Sequence, residues 1–471
     1  IMTLKYDPKD LNSILSYSKT IENKKLADVI GEARVDYNLK NKGSLGQVIE
    51  RDFFGYAINS RREADFVDAD VELKVVPVKK IKPRPKSEQL IKKMGLSVKE
   101  RVVLSIINYS DTINQTWETT DLHHKLDKIL MMFYLYEKDI NIYDLEFILS
   151  ELWEPLQKDL PFLKRDWEFI KSKIEAGKAH ELSEGDTFFL GACTKGASRK
   201  SLVSQPNNDV PAMQRAFSLK RSYVDHIFNH LMESSESNDS LPLDVYDNIL
   251  YQFRKIQYLS IEELRIKYNL NINRGAKHFL YMVVSHLFNS LLGISANEFN
   301  DKNVSEIEIK TVLLKHNNVP KENMSFEQIA YDEIIEDEWE TSEFRSKFEN
   351  KKLLWVVFKT NKTYKSQKEL KLSDIFLLDA FYWNMPNEDL DGDVKDLWLD
   401  TVNKIKRYDF DHFKKSSETK VAHIRPKAQN SKDLSVLKGG ITAPKKSFWL
   451  NSKYVAKQIE KELKNKGNQL Y

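Results

Sequence analysis

The feature that most constrains this 471-residue chain is that it repeats itself. KLADVIG (25–31), NKGSLGQVIERDFF (41–54) and VELKVVPV (71–78) are followed by TWETTDLHHKL (116–126), CTKGASRKSL (193–202) and AFSLKRSYVDHIF (216–228). The same series returns as IEELRIKYNL (261–270), NRGAKHFLYMVVSHLF (273–288) and IEIKTVLL (307–314). EWETSEFRSKF (338–348), HIRPKAQNSKDL (423–434) and SFWLNSKYVAKQI (447–459) complete it. Six matches in one order, offset by about 220–236 residues, mean one α/β unit used twice. ESSESNDSLP (233–242) is the clearest linker. The expected organisation is therefore a unit at 1–232, a linker at 233–242 and a second unit at 243–471.

Composition adds bounds. A hydrophobic share of 41% with 24 Phe, 20 Tyr and 8 Trp is enough for two packed cores. Cys193 is the single cysteine, so no intramolecular disulfide forms, which suits a reducing cytoplasm. The longest apolar run, Ile129 to Tyr136, is too short to span a bilayer, and IMTLKYDPKD lacks a signal peptide's basic and apolar regions. The expected location is cytoplasmic, with no membrane partner. A net charge of +3 neither demands nor excludes nucleic acid.

The chemistry concentrates in DFVDADVELKVVPVKK (65–80). Val71, Leu73 and Val75 alternate with Glu72 and Lys74, so the segment reads as a strand with Glu72 and Lys74 on one face. Asp65 precedes it, close enough to turn back toward Glu72. Two carboxylates make a hard oxygen site for Mg²⁺, and a neighbouring Lys can hold a water or a developing oxyanion. Read alone, such a triplet is more often an ordinary half-exposed strand. Upstream, Leu45, Val48, Ile49 and Phe53 have helical spacing over 42–58, and Glu50 lies beside Gly43, Gly46 and Ala57. That face of small residues lets something approach closely; otherwise Glu50 is a solvated helix Glu. VKKIKPRPKSEQLIKK (78–93) is a basic arm suited to phosphates or simply to water. Lys125 stands just ahead of an apolar run that reads as a neighbouring strand. His123 and His124, being adjacent, do not make a helical metal pair.

With KGSLG and Glu50, DF…VELK…P across 65–77, WET…HKL across 117–126 and IRPKA (424–428) in view, the chain resembles the MutH family. It is more closely similar to the Sau-type type II restriction endonucleases, which carry two MutH-like halves and cut at GATC. GKAHELSEG (177–185) and QRAFSLK (214–220) resemble that branch in particular. The resemblance implies two tandem restriction-endonuclease-like domains, each a mixed β-sheet flanked by helices. It places the catalytic set on Glu50, Asp65, Glu72, Lys74 and Lys125. Asp65 and Glu72 would ligate Mg²⁺, Lys74 would orient the water, and Glu50 and Lys125 would support them. For DNA it points to Lys42 and Gly43, to Lys195, Lys200 and Lys220, and to Arg425 and Lys427. Cys193-Thr194-Lys195 stands where the family often has Arg-Pro-Lys, and Ser218 where MutH has a methylation-sensing Tyr.

The expectation is a Mg²⁺-dependent endonuclease making double-strand breaks in double-stranded DNA at GATC. The alternatives are a MutH-like nickase, or a DNA-binding protein that keeps the fold without the chemistry. In the second half Glu308, Lys310 and Lys347 match Glu72, Lys74 and Lys125, and Asp301 lies seven residues before Glu308. Met282 falls where Glu50 should be, so that half is expected to bind DNA as an allosteric lobe. The chain is expected to be a monomer that pairs or loops on DNA carrying two sites.

Overall fold

The computed structural model describes residues 4–30, 44–56, 64–81, 95–195, 201–233, 240–276, 278–349, 352–365, 369–428, 430 and 433–467. The chain divides into two compact units, Ile1–Pro242 and Leu243–Tyr471. The described strands of the first are β1 (Lys24–Lys25), β2 (Glu72–Lys80), β3 (Leu96–Val98), β4 (Val102–Ile106) and β5 (Ile129–Leu135). They continue with β6 (Glu146–Trp153), β7 (Leu190–Thr194), β8 (Leu202–Gln205), β9 (Asn208–Met213) and β10 (Arg215–Leu219). A five-stranded sheet runs β1-β6-β5-β2-β3, a three-stranded sheet runs β4-β10-β7, and β8 and β9 form a hairpin.

The second unit holds β11 (Glu308–Leu314), β12 (Met324–Gln328), β13 (Leu353–Lys359) and β14 (Phe376–Trp383). After these come β15 (Ala422–Pro426), β16 (Leu434–Val436), β17 (Thr442–Pro444) and β18 (Lys446–Leu450). Its sheets run β11-β13-β14 and β12-β18-β15, with β16-β17 as the hairpin. The duplication is thus present at the level of topology. β2 pairs parallel with β5 and β5 antiparallel with β6, as β11 pairs parallel with β13 and β13 antiparallel with β14. Each unit is a mixed sheet with flanking helices.

β5 explains why the first sheet forms where it does. Ile129, Leu130, Met131, Met132 and Phe133 are all fully buried, the mark of a strand covered on both faces. Packed with Leu130, Met132, Val71, Leu73 and Phe147 are Leu45, Val48, Ile49, Phe53 and Phe54 of the segment that carries Glu50. Sequence spacing predicts one helix there; the structure has an α-helix at Ser44–Val48 that widens into a π-helical turn at Ile49–Phe54. In the wider turn the neighbours Phe53 and Phe54 both face the core. Gly55, with φ +78°, ends it in the left-handed conformation that glycine adopts without strain. Edge strand β1, strand β6 and the β8-β9 hairpin are additions to what the sequence suggested. No described helix alone is long and apolar enough to cross a membrane.

Candidate active site

Asp65 is delivered to β2 by a tight turn. Phe66 bridges to Val71, Val67–Ala69 make a 3-10 turn, and Asp70 adopts φ +54°. The turn folds Asp65 back so that its Oδ2 accepts the backbone N–H of Leu73 at 2.8 Å. Glu72 opens β2 opposite Ile129 of β5, and only 2% of it is exposed. A carboxylate so buried needs cations, and two reach it. Lys74 Nζ lies 2.7 Å from Glu72 Oε1. Lys125 Nζ lies 3.2 Å from both Oε1 and Oε2. Lys125 belongs to the helix Asp121–Asp127, capped by Thr120 and anchored by buried Leu122 and Leu126, which feeds directly into β5. The parallel β2-β5 pairing therefore sets the Glu72–Lys125 contact.

Glu50 joins the same electrostatic neighbourhood. Burial, then the charges of Asp65 and Glu72 against the relief of Lys74, push its carboxyl up to about 7. Asp65 is also raised, by burial and by Glu72, with Lys74, the Leu73 N–H and Lys125 opposing. Carboxyl groups that raise one another form a site that a positive charge would relieve. Among the described residues no three His, Cys, Asp or Glu side chains converge into an all-protein metal cage. The donor set instead fits a Mg²⁺-type ion held by one or two carboxylates with water and phosphate completing its shell. One residue the sequence reading missed belongs here. Among the described residues the buried Tyr56 hydroxyl has no hydrogen-bond partner, and the charges bearing on it include Asp65, Glu50 and Glu72. Its signal, an aromatic residue one position past the glycine that ends the Glu50 turn, is too common to read alone.

The second unit repeats part of this. Lys310 Nζ lies 2.6 Å from Glu308 Oε1, but the Glu308 side chain is 36% exposed. Lys347 forms an ion pair with Glu327 of β12. Asp301 is exposed near the end of the helix Ala296–Lys302. Met282 lies on the helix Phe279–Leu292. Lys427 brings its amino group to the Phe326 carbonyl oxygen. Burial there and the charge of Lys310 hold that amine below its usual range, against the pull of Glu308.

Of the DNA candidates, Lys195 is exposed just past β7, and Arg425 and Lys427 are exposed at the end of β15. Arg425 lies over the Trp449 ring, 4.9 Å from its centre. The strand pairing sets Cys193 opposite Ala216 and Arg425 opposite Ser447, which makes Cys193-Thr194-Lys195 and Arg425-Pro426-Lys427 equivalent. Lys220 is a correction. It is 1% exposed and its Nζ donates to the Thr187 carbonyl oxygen at 2.8 Å, so it is not a surface donor. Its charge also bears on the fully buried Asp166, whose carboxylate accepts the N–H groups of Phe188, Phe189 and Leu190. Lys42, Gly43 and Lys200 lie outside the described residues.

Two stretches, 54–166 and 292–391, match the family described as DNA mismatch repair enzyme MutH, one stretch in each unit. The type II restriction enzyme Sau3AI of Staphylococcus aureus is 32% identical over 94% of this chain and 98% of its own length. The chain belongs to this MutH-like family of restriction enzymes. The DNA mismatch repair protein MutH of Shewanella woodyi is 28% identical over 48% of this chain and 95% of its own length. That of Shewanella amazonensis is 30% identical, over 48% of this chain and 97% of its own length. As a Sau3AI-like member, the chain is a type II site-specific deoxyribonuclease that acts on double-stranded DNA.

Proposed function

We propose that the first unit carries all the cutting chemistry and makes double-strand breaks at GATC with Mg²⁺, while the second unit binds a further copy of the site as an effector. The observation that carries this is the difference in completeness. Asp65, Glu72, Lys74, Lys125 and Glu50 share one buried neighbourhood, whereas Glu308 is half-exposed and Met282 replaces the supporting carboxylate. The sequence GATC is carried over from the likeness to Sau-type enzymes.

Asp65 and Glu72 would hold the ion. When bound, it supplies Lewis-acid stabilisation of phosphate charge and lowers the pKa of a water. Lys74 and Lys125, already 2.7 and 3.2 Å from Glu72, hold that carboxylate in place. Lys74, on the same strand face, orients the attacking water and meets the negative charge that develops on phosphate oxygen. Glu50, with a carboxyl near neutrality, can accept a proton from that water. The Leu73 N–H bond to Asp65 ties that carboxylate to the strand so that the two acids keep their spacing.

One complete centre per chain cuts one strand per encounter, so a MutH-like nicking reaction is the second reading. A plasmid with two GATC sites, incubated with the full chain and Mg²⁺, separates them. Linear products with ends at GATC support the proposal, and accumulation of nicked circles alone supports the second reading. Cutting that persists in chelator, or ends elsewhere than GATC, overturns both.

A further inference from the structure

Tyr56 follows the turn that carries Glu50. Its backbone N–H donates to the Glu50 carbonyl oxygen at 3.1 Å. Its ring packs edge-on against Phe66, the residue after Asp65, with centroids 5.3 Å apart. The side chain is thus clamped between the two stretches of chain that deliver Glu50 and Asp65. Two other tyrosines of the same aromatic cluster satisfy their hydroxyls on this π-helical turn. Tyr6 donates to the Phe54 carbonyl oxygen at 3.0 Å and Tyr17 to that of Phe53 at 3.0 Å. The Tyr56 hydroxyl is buried and makes no such bond among the described residues. Buried tyrosine hydroxyls ordinarily find a partner, so an exception needs a reason.

The surroundings supply one. Burial, followed by the charges of Asp65 and Glu50, with Tyr6 and Glu72 adding, holds the Tyr56 phenol above its ordinary range, so it stays a neutral donor. Asp65 uses Oδ2 for the Leu73 N–H, and its Oδ1 has no hydrogen bond among the described residues. A buried donor on the chain that carries Glu50, packed against the residue after Asp65 and bonded directly to neither carboxyl, is a setting in which a water can make both bonds.

We propose that Tyr56 is a positioning residue of the nuclease centre, its hydroxyl holding the Asp65 and Glu50 carboxyl groups through a bridging water in the orientation that receives a divalent cation. This rests on the metal-dependent reading of the site. It gives Tyr56 the role of an outer partner that orients a ligand without binding the ion, a kind of group whose loss costs about 10–100-fold in metal affinity or activity.

The test is Tyr56→Phe in the full chain, which keeps the ring and removes only the donor. Mn²⁺ binding to the DNA-free protein is followed by electron paramagnetic resonance, beside DNA affinity in Ca²⁺ and the melting temperature. The expected result is Mn²⁺ binding weakened about tenfold, with DNA affinity and melting temperature unchanged and single-turnover cutting slowed without a change in KM for DNA. Unchanged Mn²⁺ affinity overturns the proposal, even where cutting or stability falls, because that pattern belongs to a purely structural tyrosine. Wild-type protein that binds no Mn²⁺ overturns the metal-dependent reading beneath it and is told apart by the wild-type arm alone.

Discussion

Glu72 and Glu308 open equivalent strands, each with a lysine two residues on, yet they live in different surroundings. The Glu72 side chain is 3% exposed and is gripped by Lys74 and Lys125; that of Glu308 is 36% exposed and pairs with Lys310. Lys125 turns to Glu72, whereas Lys347 pairs with Glu327. The Glu-x-Lys pattern is therefore a property of the strand, set by alternation and parallel pairing. A reactive centre needs more. It needs further carboxyl groups close enough to strain one another, as Asp65 and Glu50 do.

The largest expected effect breaks that comparison directly. Glu72→Ala removes the carboxylate that two lysines hold, and cutting of two-site DNA should fall by at least about a hundredfold. DNA affinity measured in Ca²⁺ should stay within a few-fold of wild type. Glu308→Ala should leave the single-turnover rate on saturating two-site DNA nearly unchanged. Residual nicking by Glu72→Ala that disappears only when Glu308 is also replaced would mean that both units are nucleases.

Next in size is a stability difference between equivalent positions after the last strand of each unit. Lys220 is buried beside Asp166, while its counterpart Asn451 is a neutral amide bonded to Thr419 and His423. Lys220→Ala removes a buried ammonium that donates to the Thr187 carbonyl oxygen and whose charge favours ionised Asp166, and leaves that acceptor unpaired, so it should sharply lower the denaturant midpoint of the first unit. Asn451→Ala breaks neutral bonds and should cost about 1–3 kcal/mol. If Lys220→Ala instead keeps its stability and loses DNA affinity, the lysine is a DNA donor after all.

The strand alternation, the repeat and the position of Lys125 ahead of β5 were legible because each is a local pattern or a spacing between neighbours. The burial of Lys220 was not. Its partners Thr187 and Asp166 lie 33 and 54 residues away, and a Lys closing an apolar strand looks the same in sequence whether it points outward or inward. The π-helical turn was hidden for a related reason. Both an α-helix and a π-turn bury Ile49 and Phe53, and only the sheet beneath decides that Phe54 goes in as well. Tyr56 was not legible either, since whether a hydroxyl finds a partner depends on its surroundings in the fold.

A third prediction concerns the exposed loops after β7 and β15. Arg425→Ala with Lys427→Ala should weaken binding of a second DNA site and reduce the salt slope by up to about 0.9 per lost phosphate contact. Lys195→Ala, alone on the opposite unit, should change the slope by half as much or less. Gel shifts across a salt series read both. A slope that does not move would show that these side chains only cover Trp449 and Phe326.

The smallest effect is the one that tests why the two units diverged. The Glu50 carboxyl is raised to about 7 in the fold, which means that its charged form is disfavoured there. For an acid with a raised pKa the sign is fixed by linkage. The fold carries no penalty below about pH 4.5, where the group is protonated folded and unfolded alike. The penalty grows as the pH rises toward 7 and is complete above it. Glu50→Gln, or Glu50→Met to imitate Met282, removes the charge and should therefore raise the melting temperature of the first unit at pH 8 in chelator. Because Glu50 is only part-buried, solvent screening limits the gain to about 2–4 °C, the shift that roughly 1 kcal/mol gives a unit of this size. At pH 4.5 variant and wild type should melt together. Adding Mg²⁺ at pH 8 should narrow the gap by stabilising the wild type more than the variant, since the cation takes up the repulsion that the mutation removed. A variant that is less stable than wild type at pH 8 without metal would show that Glu50 is held by bonds that favour its charge, and would remove the strain argument for the catalytic unit.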